Sequence, residues 1–212
     1  MLNQSKIFLK SEGNSWYKRN RPITDQDSLN KKPFTIELEK IVQKYKNKKI
    51  KILDIGCANG RILNYLKKKF PSVQVFGLEP SKLAIKNKLN SKINMKHGDA
   101  SKLPYCNNKF DLLIYCASLM YTDSKDLFKI VYEANRVSKQ SAYIAILDFY
   151  SKDINYVKYK HKKGIFVRKM DYSKIFLWHP FYSLIFKKIY RVDKYKYLSN
   201  LTSIFILKKI TN

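Results

Sequence analysis

Cysteine is scarce in this sequence: three in 212 residues, Cys57, Cys106 and Cys116. An odd number with no C-x-x-C pair argues against a disulfide framework and a structural zinc site, and fits a reducing cytoplasm. Acidic residues are also few. Sixteen Asp and Glu stand against 43 Lys and Arg, a formal net charge of +27. That excess suits a polyanionic partner such as RNA, or an anionic membrane surface. Arginine, however, is itself rare, six against 37 lysines, and arginine dominates specific phosphate and base readout. Lysine spread over every segment reads first as compositional bias, and second as nucleic-acid binding. No run of about eighteen apolar residues is present, so no transmembrane helix is expected, and peripheral membrane contact at most. Met1 to Lys10 has no long apolar core or cleavage site, so no targeting segment is expected and the expected location is the cytoplasm. No repeat or Gly/Ser linker divides the chain. With 45% hydrophobic and 14% aromatic residues, residues 1–212 are expected to form a single domain.

Glycine is sparse too, six in all, and two fall in one loop. The stretch Ile50-Lys51-Ile52-Leu53-Asp54-Ile55-Gly56-Cys57-Ala58-Asn59-Gly60-Arg61-Ile62-Leu63 opens as an apolar, β-branched run, the pattern of a buried parallel strand. Asp54 stands at the strand's carboxyl end. Gly56 and Gly60 bracket a loop, and Ile62, Leu63 and Leu66 then recur at helical spacing. In an open α/β sheet, ligands bind beyond the carboxyl ends of the strands, beside such a turn. The loop is not a dinucleotide G-x-G-x-x-G, because Ala58 and Arg61 hold the second and third glycine positions, nor is it a G-x-x-x-x-G-K-[ST] phosphate loop. What stands here is D-x-G-x-x-x-G. It resembles the first motif of class I S-adenosylmethionine (SAM)-dependent methyltransferases, in particular the type 11/12-like small-molecule enzymes. A glycine-rich βα turn in some other α/β protein is the alternative.

Further features follow in that family's order. Val73 to Pro80 reads as the second parallel strand, and Glu79 ends it, 19 residues past Gly60. An acidic residue at about that distance can accept from both ribose hydroxyls, the role the resemblance implies. Ser81 is placed to cap a helix carrying Leu83, Ala84 and Leu89. Ile93 to Lys96 is a short third strand, and His97-Gly98-Asp99-Ala100-Ser101-Lys102-Leu103-Pro104 is similar to the family's adenine-contacting loop. There Asp99 would accept from the adenine amine and the Ala100 amide would donate to the ring. Phe110 to Cys116 is the fourth strand. Asp123 is placed to cap the helix of Leu127, Ile130, Val131, Ala134 and Val137, and Ser141 to Phe149 is the fifth strand. The resemblance implies an α/β, Rossmann-like, doubly wound sheet of seven mostly parallel strands with antiparallel final strands. It also implies SAM as cofactor, held by Tyr17, Asp54, Gly56, Cys57, Ala58, Asn59, Gly60, Glu79, Pro80, Asp99, Ala100 and Cys116. No metal is expected.

The flanks are less generic. Residues 1–33 read as a polar, irregular arm in which Trp16, Tyr17, Arg19, Asn20 and Arg21 crowd together, able to cap a cofactor or merely to anchor the arm. Phe34, Leu38, Ile41, Val42 and Tyr45 make an amphipathic helix opening a core at 34–150. Residues 151–182 are a polar-aromatic insert where this class builds acceptor pockets, and 183–212 carry the final strands. Tyr182 to Tyr190 and Leu201 to Lys209 have the Lys-rich alternation of half-exposed edges. Tyr121, His161, Asp171 and His179 are the candidate general bases. The expected reaction is methyl transfer to a small acceptor, a sugar or nucleotide-sugar hydroxyl or amine. RNA, a lipid-linked acceptor at a membrane surface, and a non-catalytic SAM-fold binding partner are the alternatives. The oligomeric state is left open.

Overall fold

The computed structural model describes residues 4–24, 29–46, 48–192 and 201–210, with main chain only over 22–24. The core is a seven-stranded sheet built by β1 (Lys51–Ile55), β2 (Gln74–Glu79), β3 (Asn94–His97), β4 (Phe110–Cys116), β5 (Ser138–Phe149), β8 (Tyr182–Arg191) and β9 (Leu201–Lys209). The strand order is β3-β2-β1-β4-β5-β9-β8. The first five strands run parallel, and β9 and β8 join antiparallel. The order reverses at β1, so the carboxyl ends of β1 and β4 open the crevice where ligands of such sheets sit.

Both faces are covered, which is why the strands read as nearly continuous apolar runs. Leu53, Ile55, Leu113, Tyr115, Ile144 and Ile146 point to one side, against α6 (Leu127–Val137) and α7 (Ser173–Leu177). Ile52, Leu112, Ile114 and Ala145 point to the other, against α3 (Pro33–Gln43) and α4 (Arg61–Lys69). The alternation is the period-two geometry of strands acting on a two-sided core. A third cluster lies apart from these two faces. In it Phe8, Met120, Phe149, Tyr159, Ile165 and Val167 join the N-terminal arm to a separate two-stranded hairpin, β6 (Asn155–Lys158) with β7 (Phe166–Lys169).

Four local expectations change. The arm is helical rather than irregular: α1 (Gln4–Ile7) runs through a π turn at Phe8–Glu12 into α2 (Gly13–Thr24). Its polar sequence hides this because its apolar residues pack across the mouth of the sheet, not on a core face. Asp123 does not cap α6. A 3-10 turn at Ser124–Asp126 intervenes, and the Asp123 carboxylate accepts instead from the Gln4 and Ser5 amides (3.2 and 3.1 Å) at the start of α1. The helix capped by Ser81, whose Oγ accepts from the Ala84 amide at 3.0 Å, is only Lys82–Lys86 (α5), so Leu89 lies beyond it. Of the two final strands only β8 is an edge. β9 lies between β5 and β8 and is mostly buried.

Candidate active site

The loop after β1 is held tightly. Gly56 has φ +80°, and a Cβ built on it would stand 2.6 Å from the Ser118 Cβ. No other residue fits that approach without displacement. The Gly56 amide donates to the Leu78 carbonyl at 2.8 Å, tying the loop to β2. Glu79, at the end of β2, accepts from the Ala58 amide (2.7 Å) through one carboxylate oxygen and from the Ser81 amide (2.9 Å) through the other. Burial pushes the Glu79 carboxyl up to about 7, against the lowering effect of those two amides. Asp54 is also buried, and its Oδ1 has no hydrogen-bond partner among the described residues. Burial first, and Glu79 second, push its carboxyl up to about 8.

A narrow cavity of about 100 Å³ opens beside this loop, lined by Gly56, Glu79, Pro80, Asp99, Ala100 and Cys116 from the sheet side. Ser5, Phe8, Gly13 and Trp16 close it from the arm. The arm reaches the sheet closely here. A Cβ on Gly13 would come within 3.2 Å of Pro80 and Ser81 main-chain atoms, and the Asn14 side-chain oxygen accepts from the Ser81 hydroxyl and the Leu83 amide. Asp99 Oδ1 accepts from the Ser101 amide and hydroxyl at 2.8 and 2.6 Å, which fixes the turn that presents Ala100. Sequence reasoning missed the staple behind that turn. Glu133 accepts from the Leu103 amide, and the Arg136 guanidinium donates to the Leu103 and Tyr105 carbonyls, pinning the loop to α6.

A second cavity, of about 430 Å³, adjoins the first. The two share Trp16, Cys116, Ala117 and Tyr121 as a common wall. Its remaining lining includes Asn20, Phe34, Asp148, Phe149, Tyr159, His161 and Tyr190. Tyr159 is anchored through its hydroxyl, which accepts from Arg19 at 2.7 Å and donates to Glu12 at 3.1 Å, and Arg19 pairs with Glu12 in turn.

The structure brings some of the expected residues together and separates others. Gly56, Glu79, Pro80, Asp99, Ala100, Cys116 and Tyr121 line the first cavity, and Tyr121 and His161 the second. Asp54, Cys57, Ala58, Asn59 and Gly60 lie behind the cavity surface as the loop's support. Cys57 is buried, with its sulfur where a Cβ on Gly77 would stand 2.5 Å away, and burial raises its thiol well above the usual range. Tyr17 is buried against Ala58 and Ala84 and lines neither cavity. Asp171 and His179 line neither cavity. Asp171 accepts from Ser173 and pairs with Lys187 at 2.9 Å, and the His179 ring meets Phe181 at a tilt and Tyr182 edge-on. Asp148 and Phe8 were not singled out as site residues from sequence. A carboxylate closing an apolar strand was the one legible signal, at Asp148.

Residues 52–141, from β1 into β5, match a family model described as a methyltransferase domain. This part of the sheet and its loop are thus similar to a methyltransferase domain. Among curated proteins the chain is similar to ajmaline N-methyltransferase of Rauvolfia serpentina, 30% identical over 49% of this chain and 38% of the relative. The chain therefore spans well under half the length of that relative. Among solved structures it is similar to the Burkholderia thailandensis 1,6-didemethyltoxoflavin-N1-methyltransferase with S-adenosylhomocysteine bound. The TM-score is 0.70, with 12% identity, over 97% of this chain and 89% of that one. A putative methyltransferase of Haloferax volcanii, solved with the Trm112 activator, gives a TM-score of 0.70 and 13% identity over 96% and 98% of the two chains. The lining of the first cavity is compatible with SAM: Gly56, Asp99 and Ala100 border it together with the buried carboxylate of Glu79. Among the described residues no helix is long and apolar enough to cross a membrane.

Proposed function

We propose that this methyltransferase domain transfers a methyl group from SAM to a small organic acceptor held in the 430 Å³ cavity. One observation carries the reading: the two cavities meet at Trp16, Cys116, Ala117 and Tyr121, so a donor in one and an acceptor in the other share a single wall. SAM supplies, when bound, a methyl already activated on a sulfonium. What the protein contributes is alignment of the acceptor and exclusion of water. In this reading Glu79 accepts from the ribose hydroxyls, Asp99 and Ala100 meet the adenine, and the Gly56 backbone lets the cofactor approach. The arm residues Phe8 and Trp16 cover it. Aromatic walls and a polar rim suit a sugar or nucleotide sugar, or another ring-bearing molecule carrying a hydroxyl or amine. Tyr121 and His161 are the expected bases that remain in reach of such an acceptor.

The +27 charge supports a second reading, methylation of RNA. Calorimetric titration of SAM and S-adenosylhomocysteine, at low and high salt and with added RNA, separates the two. Micromolar cofactor binding that ignores RNA is the expected result. Salt-sensitive RNA binding that couples to the cofactor would favour the second reading, and no cofactor binding would remove both.

A further inference from the structure

The larger cavity contains a carboxylate to which the reading above gives no task. Asp148 ends β5, is 2% exposed, and lines that cavity. Its Oδ1 accepts from the Phe149 amide at 2.8 Å and its Oδ2 from the Met120 amide at 3.2 Å. No ion pair among the described residues engages it. Arg168, the cation that acts on it from β7, spends its terminal nitrogens on the Leu119 and Thr122 carbonyls and the Thr122 and Ser124 hydroxyls. A buried carboxylate held only by neutral donors is a standing cost, and a cation entering the cavity offsets it. The aromatic walls favour the same ligand, and Lys32 is the one lysine on the lining among the described residues. Trp16, Phe34, Tyr121, Phe149, Tyr159 and Tyr190 line the space, and aromatic faces attract cations. No other acidic side chain appears among the described residues that line it.

We propose that Asp148 holds the acceptor's amine and takes its proton, so that the methylated atom is a nitrogen on a ring-bearing small molecule. The inference rests on the methyltransferase reading and narrows its acceptor. An ammonium enters and pairs with the carboxylate. One N–H bond breaks, its electron pair stays on nitrogen, and the proton passes to an Asp148 oxygen. The nitrogen lone pair then forms the new N–C bond as the methyl–sulfur bond breaks, with that bond's electrons left on sulfur. Asp148 afterwards returns its proton to solvent. Burial supports the role by pushing the Asp148 carboxyl up to about 7, opposed by the Phe149, Met120 and Leu119 amides and by Arg168, so it can both hold and release a proton near neutrality. The other titratable or charged groups that act on it or share its cavity are Tyr172, Cys116, Tyr121, Tyr159, Tyr190, His161 and Lys32.

The test is calorimetric titration of three probes with one skeleton, phenethylamine, 2-phenylethanol and phenylacetate, into the free protein and the protein loaded with S-adenosylhomocysteine. Phenethylamine is expected to bind at least roughly tenfold tighter than the alcohol, as a charge-assisted bond would give. Asp148→Asn is expected to erase that preference while binding S-adenosylhomocysteine as the wild type does. Amine affinity is expected to rise from pH 5.5 to 8, in wild type and in His161→Gln alike, because the ionised carboxylate binds the cation. The idea is overturned if the alcohol or phenylacetate binds as well as the amine, if Asp148→Asn keeps the preference, or if the pH profile of the His161→Gln protein is flat. Should Asp148→Asn fail to fold, the two pH profiles decide alone. Wild type that binds S-adenosylhomocysteine but shows no amine preference sinks only this inference. Wild type that does not bind it sinks the methyltransferase reading.

Discussion

Gly56 combines two constraints that ordinarily occur apart: a left-handed φ of +80° and a neighbour, Ser118, in the space a side chain would take. Gly56→Ala therefore costs about 1–3 kcal/mol of stability from backbone strain alone. It also weakens S-adenosylhomocysteine. Adding Ser118→Gly removes the steric part and leaves the strain, so urea melts of the double variant should recover only part of the loss. Full recovery would mean that φ is not the constraint. Glu79 is different, because it serves the loop and the cavity at once. Glu79→Ala removes the acceptor for Ala58 and Ser81 and weakens the cofactor by about 1.5–3 kcal/mol, the range for a hydrogen bond to a charged group. Since burial lifts its carboxyl to about 7, and the ionised form accepts from hydroxyls, cofactor affinity is expected to fall as pH drops through 7. Titrations from pH 6 to 8 that show constant affinity would contradict the ribose assignment.

At the scale of elements, the arm and the sheet are joined by few but specific contacts. Asp123 accepts from the first amides of α1, Gln4 donates to the Tyr121 carbonyl and accepts from the Phe166 amide, and Glu12, Arg19 and Tyr159 link the helix to the insert. Ser5, Phe8, Gly13 and Trp16 of the arm border the narrow cavity, so loosening the arm is expected to loosen a ligand held there. Asp123→Ala removes the cap of α1, a change of about 1 kcal/mol. Hydrogen exchange over residues 5–16 should quicken in this variant, and S-adenosylhomocysteine should dissociate faster, while β1 to β5 stay protected. Unchanged exchange in the arm would mean that the other contacts hold it alone. The helical arm was the element least legible in sequence. Its residues are polar, and they form a helix because Asp123, Gln4 and Tyr159 engage partners over 100 positions away. The sheet, by contrast, could be read strand by strand, because each strand carries its own apolar run.

For the whole molecule, three buried carboxyls, Asp54, Glu79 and Asp148, have pKa values raised to about 8, 7 and 7. An acid raised on folding makes the folded state bind more protons than the unfolded chain between the two values, so stability falls as pH rises through that window. His161 works in the opposite sense, since burial lowers it, but it is an exposed side chain. The free protein is therefore expected to melt higher at pH 5.5 than at pH 8. A tenfold change in one group's acidity on folding corresponds to about 1.4 kcal/mol, and for a chain of this size 1 kcal/mol moves Tm by about 2–4 °C. Calorimetric scans showing the reverse order would mean that these groups are more hydrated than their burial implies. Saturation with S-adenosylhomocysteine should shrink the difference, because a ligand that hydrogen-bonds the ionised Glu79 favours the charged form.

The sequence by itself determined the strand, loop and helix around Asp54, Gly56 and Gly60, the positions of Glu79 and Asp99 at the ends of strand runs, and the succession of strands along the chain. These features follow from patterns within about thirty residues, which local sterics and hydrophobic periodicity express directly. Only the tertiary structure decided which side chains face the cavities. Asp171 and Asp148 look alike in the sequence, each a carboxylate beside aromatic residues. Folding pairs Asp171 with Lys187 and buries Asp148 at the end of β5, where among the described residues it accepts from main-chain amides and forms no ion pair. Burial and pairing depend on what arrives from Trp16, Tyr121, Arg168 and Lys187, and no local pattern encodes those meetings.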